Sequence, residues 1–341
     1  MATNPSEPNR GKAPGAPTLV QVAARAGVSL KTASRAINGE PRVAVGTRSR
    51  VLDSAHELGF QLNRVASMLK RGVVSNVVGL VTGDLANPFY SALSKGVEQE
   101  LRTVGMQLIV ASSDEEPDRE RALIAELVDR QVQALVVVST LQDHSGMRAV
   151  QDRGIPVVFV DRVGLGIEAD SVVLDNKAGS RMAVEHLIAG GHSDIAFIGD
   201  LARLETHRER LDGFIQAMSA AGLDPYRWIR HDAHDAASAR NATCSLLTDI
   251  RPPSALFTSN NRITIGALQM TDELGKKPAL VGFDDFDLAD LLHVTVMAHD
   301  PVKMGRIAAE LALAATRRRE SEAATHVIMP TRLVTRGSGE R

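Results

Sequence analysis

A single cysteine, Cys244, in a chain of 341 residues excludes an intrachain disulfide framework and any cysteine-based metal site. No apolar run is long enough to span a bilayer, and no basic-then-apolar leader opens the chain. A cytoplasmic protein is therefore expected, with no membrane partner. Also lacking are the short signatures of common chemistries: no P-loop, no GxSxG elbow, no HExxH, and no GxGxxG after a strand. No catalytic residue, metal or cofactor is expected. Net charge is nearly lacking too, but the formal value of -2 hides an asymmetry. Residues 1–72 hold 11 Lys/Arg against 4 Asp/Glu, a net of +7, while the remainder holds 28 against 37, a net of -9. A basic head on an acidic body suits phosphate contact by the head alone.

What is present near the N-terminus is TLVQVAARAGVSLKTASRAIN, Thr18 to Asn38. Thr18 can cap a helix over Leu19 to Ala26, with Val22, Ala23 and Ala26 on one face, and Gly27 can end it. Ser29 can cap a second helix, Leu30 to Asn38, whose inward positions are Ala33 and Ile37. A three-residue turn with a glycine between short helices frees the second helix to enter a major groove. Its first turns carry Leu30, Lys31, Thr32, Ser34 and Arg35, a mixture of base-edge and phosphate readers. A third helix fits Thr47 to Leu58, with Thr47 as cap and Val51, Leu52, Ala55 and Leu58 on its apolar side. Residues 1–17 read as a mobile Pro/Gly/polar arm, and 61–75 as a hinge ordered only in context.

From Asn76 the texture changes to Val/Ile/Leu strands alternating with amphipathic helices, the mark of parallel sheets covered on both faces. Strands are expected at 77–83, 106–112, 134–139, 155–161, 195–199, 255–259 and 279–283. The two series they form have similar layouts, without a detectable sequence repeat. Ligands in such sheets bind beyond the carboxyl ends of the strands. There stand Asp84, Asp161, Asn260 and Asp284. One aspartate at a strand end is usually a turn or cap, but several converging on one cleft suit hydroxyl groups, as in a sugar or polyol.

Seven stretches together resemble the LacI/GalR family of bacterial transcriptional regulators, over roughly Pro17 to Thr335. They are VAARAGVSLKTASRAIN, NRVASMLK in the hinge, NPFY (87–90), LDNKAGSRMAVEHLIAGGH (174–192), RERLDGF (208–214), TSNN (258–261) and VGFDDF (281–286). The resemblance implies a small all-α helix-turn-helix head (18–60) on an α/β body (76–335) of two doubly wound parallel-sheet subdomains, periplasmic-binding-protein-like. It places the N-subdomain at about 76–173 plus 302–325 and the C-subdomain at about 174–301 plus 326–335.

The resemblance also implies roles. Leu30 and Lys31 are the variable operator-reading pair, and Arg35 suits a guanine edge. Ser29, Thr32, Ser34 and Asn38 match phosphate-contacting positions. In the hinge it selects Asn63, Arg64, Leu69 and Lys70, with Leu69 as a minor-groove wedge. In the body it points to Phe89, Tyr90, Asp161, Thr206, Arg210, Asn260 and Asp284 as effector contacts. For Arg210 the alternative is an ion pair with Glu205 or Asp212 nearby in sequence.

The expected function is a sequence-specific DNA-binding regulator, most simply a homodimeric repressor of a sugar or polyol operon. It would bind a near-palindromic double-stranded operator, on the bacterial nucleoid, under control of a small ligand. A corepressor-dependent or activating regulator is the alternative, and an enzyme or a plain binding protein on this fold is disfavoured. The family pattern is departed from at Leu62, Leu204, Ala233, Asn261 and the stretch HVTVMAHDP (293–301), where His299, like His192, reads as isolated and structural.

Overall fold

The computed structural model describes residues 17–60, 75–318 and 322–340. Apart from Pro17 and Ser75, the expected arm and hinge, with Asn63, Arg64, Leu69 and Lys70, lie outside the described residues. The chain forms two compact units that divide before Ser75.

The first unit holds helices α1 (Leu19–Ala26), α2 (Leu30–Ile37) and α3 (Val45–Glu57). Thr18 closes a capping box with Gln21, and Gly27 ends α1 in the left-handed region at φ 66°. Ser29 caps α2 by accepting from the Thr32 amide at 3.1 Å. A capping oxygen of this kind contributes about 1 kcal/mol. Small buried residues, among them Ala23, Ala33, Ala36 and Ala55, let the three helices approach closely around Val22 and Val51. Two expectations need correction. Helix α3 starts before Thr47, because the Ala44 carbonyl already accepts from the Thr47 and Arg48 amides. Ile37 packs half-buried on this core as expected, joined by a buried Ala36, whereas Leu52, expected on the apolar side of α3, is 46% exposed.

The second unit is built on two six-stranded sheets. The N-subdomain contributes β1 (Val77–Thr82), α4 (Pro88–Thr103), β2 (Gln107–Ser112), α5 (Pro117–Asp129) and β3 (Ala134–Val137). A 3-10 turn and short helix α6 (Arg148–Gln151), β4 (Val157–Val160) and β5 (Asp170–Leu174) complete its first pass. The C-subdomain follows with α7 (Asn176–Ala189), β6 (Ile195–Ile198), α8 (Glu205–Ala220), β7 (Ile229–Arg230) and α9 (Ala236–Leu247). It continues through β8 (Ala255–Thr258), α10 (Asn261–Glu273), β9 (Ala279–Phe283) and β10 (Thr295–Ala298). The chain then returns through α11 (Pro301–Ala315), β11 (His326–Met329) and β12 (Arg332–Val334).

Strand order is β11-β5-β4-β3-β1-β2 in one sheet and β12-β10-β9-β8-β6-β7 in the other, the same winding twice. The central strands are buried throughout, which is why they read as unbroken apolar runs. Two further corrections concern the end of the chain. Strand β11 pairs parallel to β5, His326 opposite Ser171, so 326–329 belongs to the N-subdomain and not to the C-subdomain. Strand β12 runs antiparallel to β10, so the second sheet is not wholly parallel. Beyond it, the Ser338 hydroxyl donates to the Leu280 carbonyl at 2.6 Å and accepts from the Thr295 amide at 2.8 Å, tying the tail to the C-subdomain.

Candidate functional site

The repeated winding brings equivalent strand ends face to face. Asp161 follows β4 and Asp284 follows β9; both take left-handed backbone, at φ 71° and 68°. Each amide bonds back to the neighbouring strand, Asp161 to the Val172 carbonyl at 2.9 Å and Asp284 to that of Met297 at 3.0 Å. Aspartate tolerates this conformation better than most residues; both carboxylates are buried, and Asp161 on one subdomain feels Arg210 and Asp284 on the other.

On the C-subdomain side, Asp284 accepts from His299 Nε2 at 2.9 Å and lies 3.8 Å from Arg210 Nη2. Burial alone would raise the Asp284 pKa, but Arg210 and the His299 bond hold it below the ordinary value. Arg210 stacks over Phe283 at 3.9 Å and donates to Asn176 Oδ1 at 2.9 Å and to the Ser259 carbonyl at 2.5 Å. Its partners are thus neither Glu205 nor Asp212. Asn260 caps α10 through its Oδ1 and donates from Nδ2 to Asp200 at 2.8 Å. Thr206 is buried in the first turn of α8.

On the N-subdomain side, Asn87 caps α4 and so places Phe89 and Tyr90 in its first turn, both buried. Phe89 meets Tyr90 and His299 edge-on, at 4.9 Å and 5.4 Å between ring centres. The Tyr90 hydroxyl accepts from Arg162 at 3.2 Å. Burial raises the pKa of Asp161, only partly offset by Arg162 and Arg210. Polar contacts cross the cleft at both edges. Asn261 donates to Asn87 at 3.0 Å, beside an Arg262–Asp84 ion pair. Opposite, Glu205 accepts from the Val163 amide at 2.9 Å and Arg203 donates to Thr140 at 2.9 Å.

Glu115, Arg162, Asp200 and Arg203 were not singled out from the sequence, and His299, read there as isolated, instead bonds to Asp284 in the cleft. Arg162 adjoins Asp161, which was the one available signal. Glu115 sits in the acidic run DEEPD, which reads as a helix approach, and His299 becomes a cleft residue only because β10 ends beside β9.

Behind the cleft, His207 lies buried against Phe197 with its Nε2 3.1 Å from His231. Burial, then the His231 charge, lowers its pKa from 6.5 to about 4. The unfolded chain protonates this imidazole first, so its contribution to stability is complete above pH 6.5 and is lost as pH falls toward 4. The difference corresponds to about 3 kcal/mol. His207→Gln is therefore expected to flatten the acid limb of the stability curve over that window, measured by urea denaturation at stepped pH.

In the head, Ser29, Leu30 and Lys31 are exposed and Thr32, Ser34, Arg35 and Asn38 half-buried. Ser29 and Thr32 share a hydrogen bond of 2.8 Å, and Asn38 donates to the Ser34 carbonyl at 2.6 Å and to its hydroxyl at 3.3 Å, so all four phosphate candidates also stabilise α2. Arg35 reaches Glu40 at 3.4 Å, an exposed pair that holds it weakly.

Residues 18–63 match the model of bacterial regulatory proteins of the lacI family, and residues 184–339 that of the periplasmic binding protein-like domain. The regulator GalS of Salmonella typhimurium is 30% identical over 92% of this chain and 94% of its own. The chain belongs to the LacI/GalR family. Like its relatives it is a helix-turn-helix transcription regulator, not an enzyme. Two solved members share its fold: a CelR–cellobiose complex, 29% identical, TM-score 0.69, covering 94% of this chain and 99% of that one; and Cra of Pseudomonas putida with fructose 1-phosphate, 28% identical, TM-score 0.70, covering 77% and 99%. Among the described residues of this LacI/GalR member, no cluster could hold a metal ion and no helix is long and apolar enough to cross a membrane.

Proposed function

We propose that the chain represses an operon for the use of a sugar or polyol, binds a near-palindromic operator as a homodimer, and is released by an effector lodged in the cleft. The pairing of Asp161 and Asp284 across the two subdomains carries this reading. A ligand bonded to both has a different affinity for each angle between the subdomains, and only such a difference can shift an equilibrium. Carboxylates accept from neighbouring hydroxyls, Arg210 donates, and Phe89 offers an apolar face, which together fit a polyhydroxylated ring. Asn261 Oδ1 and His299 Nδ1 are buried without a hydrogen-bond partner, and a ligand would satisfy them. The solved relatives hold cellobiose, an uncharged sugar, and fructose 1-phosphate, a sugar phosphate.

Two heads are needed to read two half-sites, and Leu288, Leu291 and Leu292, exposed at 56%, 73% and 47%, offer an apolar surface to a second copy. The chain end THVIMPTRLVTRGSGER has no heptad seam to join dimers. Light scattering should give a dimer; a tetramer would contradict the reading. We assign base reading to Leu30, Lys31 and Arg35. Arg35→Ala should cost about 1–3 kcal/mol of operator binding and relax preference at one base pair per half-site. Unchanged base preference in a binding-site selection would show that the register of α2 on DNA is wrong.

A further inference from the structure

The N-subdomain floor of the cleft holds a cation already engaged by a carboxylate. Arg162 is buried, and its Nη1 and Nη2 donate to the two carboxylate oxygens of Glu115 at 2.8 Å each. The remaining Nη hydrogens go to the Ser139 carbonyl at 2.8 Å and the Tyr90 hydroxyl at 3.2 Å. Its Nε has no hydrogen-bond partner but lies 3.6 Å from Asp161. Four Nη hydrogens are thus committed, two of them in a bidentate fork.

Glu115 is itself built into place. It follows Asp114 in two successive left-handed residues, at φ 52° and 59°. A Cβ on Gly83 would overlap its Oε1, so only glycine leaves room for the carboxylate there. Its amide donates to the Gly83 carbonyl at 3.2 Å, and its carbonyl accepts from Arg203, across the cleft, at 2.5 Å. Two strained residues held this firmly point to a purpose beyond a turn. On the opposite side, Arg210 already lies against Asp284, and Asp200 adds a further carboxylate, paired with His234 at 2.7 Å.

We propose that Glu115 sets the charge class of the effector, restricting the cleft to uncharged sugars or polyols and excluding sugar phosphates and sugar acids. This rests on the effector site proposed above. By neutralising Arg162 through both of its Nη groups, Glu115 leaves Asp161, Asp284 and Asp200 without an uncompensated arginine on the floor. Ligand hydroxyls find acceptors. An anionic ligand would have to break the fork and strand a buried carboxylate.

The test uses the full-length chain and inorganic sulfate, in thermal-shift titrations at ionic strength held constant with chloride. Glu115→Gln keeps the shape and removes the charge, so Arg162 becomes an available anion site. The variant should show a saturable rise in Tm, with apparent sulfate affinity on the order of tenfold or more above wild type. Glu115→Gln combined with Arg162→Met should lose that response. Should Glu115→Gln fold poorly, sulfate, but not chloride, should restore its folded fraction. A single variant no more responsive to sulfate than wild type, or a double variant that keeps the response, overturns the proposal. Operator release by neutral sugars is read separately, so a failure of the effector reading would not be mistaken for a failure here.

Discussion

Asp284→Ala should retain operator binding while losing the response to effector. The substitution removes the acceptor that His299 and Arg210 both approach, at 2.9 Å and 3.8 Å, without touching the head. Alanine at φ 68° adds a backbone cost of roughly 1–2 kcal/mol. The body can absorb that cost, since Met297 still receives the amide. Loss of charge-assisted bonds to two ligand hydroxyls should weaken effector binding on the order of a hundredfold or more. Calorimetric titration of the effector found by screening, beside operator anisotropy, measures both halves. A variant that binds effector as tightly as wild type would remove Asp284 from the site.

Arg162→Met should give the largest loss of stability in the body. It leaves the Glu115 carboxylate buried without its partner, and breaking one side of a buried pair costs about 3–5 kcal/mol. In the intact protein burial pushes the Glu115 pKa up, yet Arg162 more than offsets this and holds it below the ordinary value. Without Arg162 the sign reverses, so the deficit should shrink as pH falls and the stranded carboxyl takes a proton. Adding Glu115→Gln should recover most of the loss. Urea denaturation across pH measures all three proteins. A deficit that is small at neutral pH, or that the second substitution leaves in place, would contradict this account of the pair.

How much of this was legible in the sequence depended on whether a signal was local. Helices α1 and α2 announce themselves through Thr18, Gly27 and Ser29, which act on their own backbone neighbourhood, and their bounds follow within a residue. Buried strands such as β3 and β4 read as continuous apolar runs. The start of α3 was missed because Ala44 caps with its backbone alone. Strand β7 spans only Ile229–Arg230, too short for any periodicity, and β11 joins the N-subdomain through pairing with β5, which no local pattern encodes. In the site, strand-end position was enough to nominate Asp161, Asn260 and Asp284. It could not disclose Glu115, whose role depends on an arginine 47 residues away. Nor could it disclose His299, which reaches Asp284 only through the order of strands β9 and β10.

If ligand contacts spanning the cleft govern operator affinity, linkage makes the coupling directly measurable. If effector weakens operator binding by some factor, operator must weaken effector binding by the same factor. The measurement is fluorescence anisotropy of a labelled operator duplex held by the full-length dimer, titrated with each neutral sugar or polyol that a thermal-shift screen shows to bind. At least one of these ligands is predicted to release the duplex from the wild type and not from Asp284→Ala. A set of ligands that all stabilise the wild-type body but leave its operator affinity unchanged would contradict the account.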